Sequence, residues 1–200
     1  MSATPEQIVD AAIAAGLDAI AITDHNAVDG AERLRHIAPE KGLHVFPGVE
    51  LSTKEGHVVA IFDLDTPLGK LVDFLDYLGI DREGHGDARI LTADGMEEVF
   101  RKTAERGGLA VAAHIERWPS GFLEAKESRH VKAAIHASEY VSALEITVPQ
   151  NKGQWNEGQV WGYPRKRACI QTSDAHPPAE IGRRPVYIEM EHINLASLKA

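Results

Sequence analysis

The sequence predicts an α/β fold built as one domain, and two observations support this prediction. Short apolar runs, typical of buried strands, alternate along the chain with segments that have helical periodicity. No internal repeat, low-complexity stretch or linker-like change of composition divides the 200 residues. Alternation of this kind is typical of a mostly parallel sheet whose strands are joined by helices. We therefore expect a single α/β domain over residues 1–200.

The first predicted element is a helix with a clear start signal. Thr4 is a candidate N-cap, Pro5 suits the first helical position, and Gln7 stands three residues after the cap, as a capping box requires. Apolar residues then recur at helical spacing until Gly16, which is typical of a helix end.

Strands and further helices follow in alternation. We predict strands over 18–22, 44–49, 57–62, 109–113, 143–147, 168–172 and 185–189. We predict helices over 31–37, 68–78, 96–106, 131–137 and 195–199. The link between the second and third strands is so short that these two strands are expected to pair as a hairpin.

Composition excludes several classes of protein. A formal net charge of −9 lacks the positive field on which non-specific nucleic-acid binding depends. The single cysteine, Cys169, excludes a disulfide framework and a multi-cysteine zinc site. No apolar run approaches the ~20 residues of a membrane span, and no signal peptide is recognisable at the N-terminus, so we expect a cytoplasmic protein. The ten histidines leave a histidine-and-carboxylate metal site as the chemistry to look for.

Polar side chains gather at one end of the predicted strands. The residues at or just past a strand's carboxyl end are Asp24, His25, Glu50, His114, Asp174 and His176. His57 opens its strand, and a tight turn after Glu50 would return it to the same end. Since the carboxyl ends of strands converge in α/β barrels, these side chains predict a site for clustered divalent metals. Taken singly, His25 is more typical of a hydrogen-bonded turn residue than of a metal ligand, and Asp174-Ala175-His176 is likewise consistent with an Asx-type turn.

The other six histidines are not assigned to the site. His85 lies in a polar, glycine-rich loop. The remaining five are expected on helix faces or at exposed positions, without the pattern of neighbouring carboxylates that a metal site requires. They are His36, His44, His130, His136 and His192.

Five segments in this order and spacing resemble the PHP (polymerase and histidinol phosphatase) domain family. They are Thr23-Asp24-His25-Asn26, Gly48-Val49-Glu50, His57-Val58-Val59, Ala112-Ala113-His114, and Ser173-Asp174-Ala175-His176 with Glu180-Ile181-Gly182-Arg183. The resemblance implies a distorted seven-stranded, TIM-like β/α barrel. It also implies a metal-dependent phosphoesterase that holds one to three divalent ions, commonly zinc, manganese or iron. The stretch from His114 to Ile188 is further similar to PHP domains that precede an AAA-like or SMC-like ATPase.

The resemblance assigns a role to each candidate residue. Glu50 would bridge ions, with His57 and His114 completing the ligands of one of them. Asp174 would serve a second ion, while His25 and His176 would serve a third. Asp24 would orient His25 through the other ring nitrogen. His176 or His25 is the candidate proton donor to the leaving group, and Arg183 and Arg117 are candidates for phosphate binding.

One departure from the family pattern affects these expectations. The family opens with a strand that carries a His-x-His pair, whereas this chain begins Met1-Ser2-Ala3 and has no histidine before His25. We therefore expect the barrel to lack its first strand, and the chain to be a piece of a longer protein at both ends.

Three functions remain open from the sequence. The first is hydrolysis of a phosphate ester by metal-activated water, as a phosphatase or as a phosphodiesterase or nuclease, on a small molecule or a short nucleic acid. The second is a catalytically impaired PHP domain with a regulatory or scaffold role. The third is a barrel amidohydrolase, which also places histidine and aspartate at strand ends but has no bridging lysine here. The oligomeric state is not predicted.

Overall fold

The computed structural model describes residues 3–163 and 165–199. Met1, Ser2, Pro164 and Ala200, which the predicted domain includes, lie outside the described residues. Seven α-helices are present in this part of the chain: α1 (Pro5–Ala14), α2 (Gly30–Ile37), α3 (Leu68–Tyr77), α4 (Met96–Glu105), α5 (Arg129–Ala137), α6 (Lys152–Asn156) and α7 (Leu195–Lys199). The α1 start is confirmed, because Thr4 and Gln7 form both hydrogen bonds of a capping box.

The described strands form one curled, half-barrel sheet in which spatial order follows chain order. They are β1 (Ala19–Ile22), β2 (His44–Thr53), β3 (Gly56–Ile61), β4 (Leu109–Ala112), β5 (Val141–Glu145) and β6 (Cys169–Ile170). The β1–β2, β4–β5 and β5–β6 pairs are parallel. The β2–β3 and β3–β4 pairs are antiparallel, so the expected hairpin is confirmed and the sheet is more mixed than expected.

The number of strands differs from the family pattern. Six strands are described, with β1 and β6 at the two edges. The seventh strand of a closed barrel, and its loss from this chain, stay predictions.

The predicted strand over 185–189 is wrong. This segment is irregular and pairs with no described strand. Val186, Tyr187 and Ile188 have high local strand propensity, but Tyr187 is 92% exposed and its neighbours are also solvent-exposed. Strand propensity without a neighbouring strand to pair with does not produce a strand.

The apolar core positions the sheet ends. The larger cluster packs α3 and α4 against β2, β3 and β4, with Phe74, Phe100 and Leu51 fully buried. A smaller cluster packs α1 and α2 beneath β1, around Val9 and Leu34. No described helix is both long enough and apolar enough to cross a membrane.

The directions of the strands place several strand ends together. The carboxyl ends of β1, β2, β4 and β5 lie at one end of the sheet, together with the start of β3.

Candidate metal centre

Backbone pairing brings His25 beside Glu50. The backbone N–H of Glu50 donates to the carbonyl of Asp24 (3.1 Å), and the N–H of Asn26 donates to the carbonyl of Glu50 (2.8 Å). These two bonds form an isolated parallel bridge between His25 and Glu50, just past the end of β1. Glu50 lies inside β2 rather than at its end, because β2 continues to Thr53 through its pairing with β3.

Three imidazoles converge on the Glu50 carboxylate. His57 Nδ1 lies 2.9 Å from Glu50 Oε1, and His114 Nε2 lies 3.1 Å from the same oxygen. His25 Nε2 lies 3.7 Å from the other oxygen, Oε2. The rings also contact one another edge-on, with centroids 5.3 Å apart for His25 and His57 and 4.9 Å apart for His57 and His114. We call these four residues the Glu50 cluster.

The hairpin and the next strand supply two of these rings. His57 is the second residue of β3 and pairs with Ser52 of β2, two residues beyond Glu50, so the tight β2–β3 turn returns it to the same end of the sheet, as expected. His114 follows the end of β4 and has a left-handed backbone (φ 28°), an unusual conformation for a residue other than glycine. Its side chain is 2% exposed.

The Glu50 carboxylate is held ionised. Burial alone would raise the pKa of Glu50, but hydrogen bonds from His114 and His57 and the nearby charge of His25 outweigh burial. The net effect holds the pKa of Glu50 well below its usual range. The cluster therefore presents a fixed negative charge, nearly shielded from water, to three nitrogen donors.

The donor set fits a divalent transition metal. One ligand atom from each of His25, Glu50 and His57 can be chosen so that all lie within 4.8 Å of one another. Ligand atoms about 2.1 Å from one tetrahedral ion are about 3.4 Å apart, so small side-chain movements would bring these three together on one ion. The Nδ1 atoms of His25 and His114 are buried and have no hydrogen-bond partner among the described residues, which is a costly arrangement for polar atoms. Imidazole and carboxylate donors suit zinc, manganese or iron.

Asp174 and His176 are arranged differently. Asp174 has a left-handed backbone (φ 44°), and its Oδ2 accepts a hydrogen bond from Arg117 Nη2. His176 is exposed, and its ring Nδ1 lies 3.3 Å from the carbonyl oxygen of Asp174 in its own loop. Within residues 3–163 and 165–199, neither residue belongs to a group of three metal-ligating side chains.

The two arginines predicted to bind phosphate have protein partners. Arg117 pairs with Asp174. Arg183 donates from Nε to the carbonyl of Ser173 (2.9 Å), and its Nη1 lies 3.0 Å from Glu180 Oε1. Both guanidinium groups therefore lie beside the loop that carries Asp174.

Asp24 does not hydrogen bond to the His25 ring in this structure. Its side chain is exposed and lies over Gly30, where an added Cβ would come within 2.1 Å of Asp24 Oδ2. The backbone carbonyl of Asp24, rather than its carboxylate, helps to place the centre through its bond with Glu50.

Asn26 organises the centre, a role that was not predicted for it from the sequence. It is fully buried in a left-handed conformation (φ 48°). Its Nδ2 donates to the carbonyls of Asp87 (2.9 Å) and Ile90 (2.8 Å), so the loop after α3 is fastened beside His25. A signal for this role was present, since asparagine tolerates the left-handed region better than most residues.

Two glutamates were also missed. Glu116 accepts backbone N–H bonds from Thr147 (3.1 Å) and Val148 (2.8 Å), which shapes the loop after β5. Glu145 is buried at the carboxyl end of β5 and contacts the backbone of His114. The predicted strand over 143–147 placed Glu145 in the strand interior, which hid a carboxylate at a strand end.

Comparison with known proteins identifies the family. The family model of the PHP domain matches residues 2–147. The chain belongs to the PHP domain family. The sequence resemblance is thereby confirmed, and the Glu50 cluster lies within the matched part of this PHP domain.

A curated protein is similar in sequence to part of this chain. The chain is 30% identical over 111 residues to an uncharacterized protein of Methanocaldococcus jannaschii, a match that covers 55% of this chain and 51% of that protein. The chain thus spans about half the length of the curated relative that it matches.

Two solved structures are similar to this PHP domain. The lesion-specific endonuclease PfuEndoQ of Pyrococcus furiosus matches with a TM-score of 0.70 at 16% identity, over 96% of this chain and 49% of that one. A candidate metal-dependent phosphoesterase of Bifidobacterium adolescentis matches with a TM-score of 0.60 at 18% identity, over 89% and 84%. At these identities, the likeness concerns the fold.

Proposed function

We propose that this PHP domain is a metal-dependent hydrolase of phosphate esters that binds its metal at the Glu50 cluster. The observation that supports this most is the convergence of three imidazoles on one buried carboxylate, at distances of 2.9–3.7 Å. Membership of the PHP family supports the phosphoesterase class. The ion would be zinc, manganese or iron, and one to three ions would bind.

Different residues of the chain would bind the metal and donate the proton. Glu50 and His57 would hold one ion, and the third ligand would be His25, which lies in one group with them, or His114, which the resemblance to PHP domains assigns. A bound divalent ion would lower the pKa of water toward neutrality and offset charge on the phosphate oxygens. His176 is exposed in the segment that follows β6, and it is the proposed proton donor to the leaving oxygen, with His25 as the alternative.

The substrate would be held by arginine. Arg183 and Arg117 lie beside the Asp174 loop, and a guanidinium matches the geometry of phosphate. Arg117 would have to leave Asp174 in order to bind phosphate. A phosphate-ester small molecule and a short nucleic acid are both compatible with a net charge of −9, because phosphate contacts would be local.

A direct experiment tests this function. The protein would be loaded with Mn²⁺ or Zn²⁺ and assayed on a nitrophenyl monoester, a nitrophenyl diester and a short oligonucleotide. We expect turnover of at least one substrate and a loss of roughly 100-fold or more in Glu50→Gln, since disturbing even the outer support of a metal costs up to about 100-fold.

Glu55→Gln is the matched control. Glu55 is also a buried carboxylate, but it accepts the backbone N–H of Met96 (2.9 Å) at the start of α4 and does not face the cluster. Absence of turnover on all three substrates in metal-loaded protein, or equal rates in the wild type and Glu50→Gln, would refute the proposal.

A second candidate function is a catalytically impaired PHP domain with a regulatory or scaffold role. The bond between Arg117 and Asp174 favours it, because the guanidinium engages a carboxylate that would otherwise serve a second ion. Catalysis by two clamped ions requires both the attacking and the leaving oxygens to be held. One ion or none per chain, with no turnover, would support this function, whereas two or three tightly held ions would oppose it.

A further inference from the structure

Glu145 is a buried carboxylate that the proposed chemistry does not use. It ends β5, is 3% exposed, and has no lysine, arginine or histidine within salt-bridge distance among the described residues. Its Oε2 accepts the backbone N–H of His114 (3.0 Å), and its Oε1 accepts the hydroxyl of Thr172 (2.6 Å). Burying a polar group is costly unless it is hydrogen-bonded, so the two bonds that hold this carboxyl group require an explanation beyond packing.

The first of these bonds acts on a strained residue. His114 has a left-handed backbone, which costs roughly 1–2 kcal/mol for a residue with a Cβ. Such a conformation persists only where surrounding contacts determine it. Glu145 supplies two of them, because its side chain accepts the N–H of His114 and its backbone carbonyl accepts the N–H of Ile115 (2.9 Å). A third is the bond from the N–H of Arg117 to the carbonyl of His114 (2.8 Å).

The backbone of His114 determines where its ring lies. The ring is 98% buried, and its Nε2 is 3.1 Å from Glu50 Oε1. If the backbone relaxed to an ordinary conformation, the Cα–Cβ bond would point in another direction and the ring would leave Glu50.

The second bond extends the same support to another loop. Thr172 stands two residues before Asp174, which also has a left-handed backbone (φ 44°). Through its two oxygens, Glu145 therefore ties the loop that follows β4 to the segment that follows β6.

We propose that Glu145 is a positioning residue of the metal centre. It holds His114 in the conformation that faces Glu50 and ties that loop to the Asp174 segment. This inference rests on the proposed function, because it requires that the Glu50 cluster binds a metal.

Cobalt binding tests the role without relying on turnover. Co²⁺ would be titrated into the whole chain and followed by its visible absorption, in the wild type, Glu145→Gln, Glu145→Ala and Thr172→Val. We expect Co²⁺ to bind at least about tenfold more weakly to Glu145→Ala, as is typical when an outer support of a ligand is lost. Glu145→Gln retains one acceptor and is expected to lose less, and Thr172→Val least. A changed absorption band in the Glu145 variants would report a displaced ligand.

The control separates positioning from general stability. Glu55→Gln also removes the charge of a buried carboxylate that accepts a backbone N–H, but at the start of α4. It is expected to lower the free energy of unfolding while the dissociation constant and spectrum for Co²⁺ stay at wild-type values. If Glu145→Ala fails to fold, the comparison between Glu145→Gln and Thr172→Val still decides the question.

Two results would overturn the inference, and they differ. Wild-type Co²⁺ affinity and spectrum in folded Glu145→Gln and Thr172→Val would refute the positioning role alone. Absence of Co²⁺ binding by the wild type would refute the metal centre, and this inference with it.

Discussion

Acidification should destabilise this PHP domain through one histidine outside the metal centre. His136, near the end of α5, is 2% exposed, and its ring packs against those of Trp155 and Tyr163, with centroids 5.5 and 5.2 Å away. Neither ring nitrogen has a hydrogen-bond partner among the described residues. Burial, and then the positive charges of Arg167 and Arg165, lower the pKa of His136 to about 4.

The sign and size of the effect follow from this pKa. In the unfolded chain, His136 binds a proton below about pH 6.5, whereas in the folded protein it stays neutral until about pH 4. Protonation between these values therefore favours the unfolded chain, and stability falls as the pH falls. The full loss is about 3.4 kcal/mol, of which about 2 kcal/mol is lost between pH 8 and pH 5.

Urea unfolding at several pH values measures this loss. We expect the free energy of unfolding of His136→Leu to fall less than that of the wild type between pH 8 and pH 5, by about 2 kcal/mol. His130→Leu is the matched control, because His130 is exposed on the same helix and should leave the wild-type slope unchanged. Equal pH slopes for the wild type and His136→Leu would refute the reasoning.

Three further predictions concern single side chains. Arg167 donates hydrogen bonds to three backbone carbonyls at and beyond the end of α5. Arg167→Met should therefore lower the free energy of unfolding in urea by about 3 kcal/mol, and a change below about 0.5 kcal/mol would contradict this. A Cβ on Gly48 would lie 2.6 Å from the backbone oxygen of Ala60 and would force β2 and β3 apart. Gly48→Ala should therefore lower the free energy of unfolding by about 2 kcal/mol in the same assay. An unchanged unfolding midpoint would contradict this. Arg117→Gln should free Asp174 to bind a metal, so calorimetric titration with Mn²⁺ should detect a second, weaker site in this variant. The same number of bound Mn²⁺ ions in the wild type and in Arg117→Gln would show that the Arg117 bond does not control metal number.

Much of the fold could be predicted because its signals are local. The capping box of α1, the glycine after it, and the alternation of apolar strands with helices each depend on neighbouring residues. The end of β2 could not be placed in this way, because Ser52 and Thr53 belong to the strand only through their pairing with β3. The segment 185–189 shows the converse, since its strand propensity finds no partner strand.

The site was predictable to the extent that strand ends determine it. The Glu50 cluster comes together as expected, because its four residues lie at the same end of the sheet. They are His25, Glu50, His57 and His114. The bond between Arg117 and Asp174 joins residues 57 positions apart, and no local pattern reports such a pair. His136 was assigned to a helix face or an exposed position, but it is buried because two aromatic rings from a later segment cover it.

Metal content measured with and without the Glu50 carboxylate tests the central claim most directly. Wild type, Glu50→Gln and Glu55→Gln would be loaded with Zn²⁺, dialysed against metal-free buffer and measured for zinc per chain. The Glu50 cluster predicts at least one retained ion in the wild type and in Glu55→Gln, and its loss from Glu50→Gln. Equal zinc in all three proteins, or none in the wild type, would contradict a metal centre at Glu50.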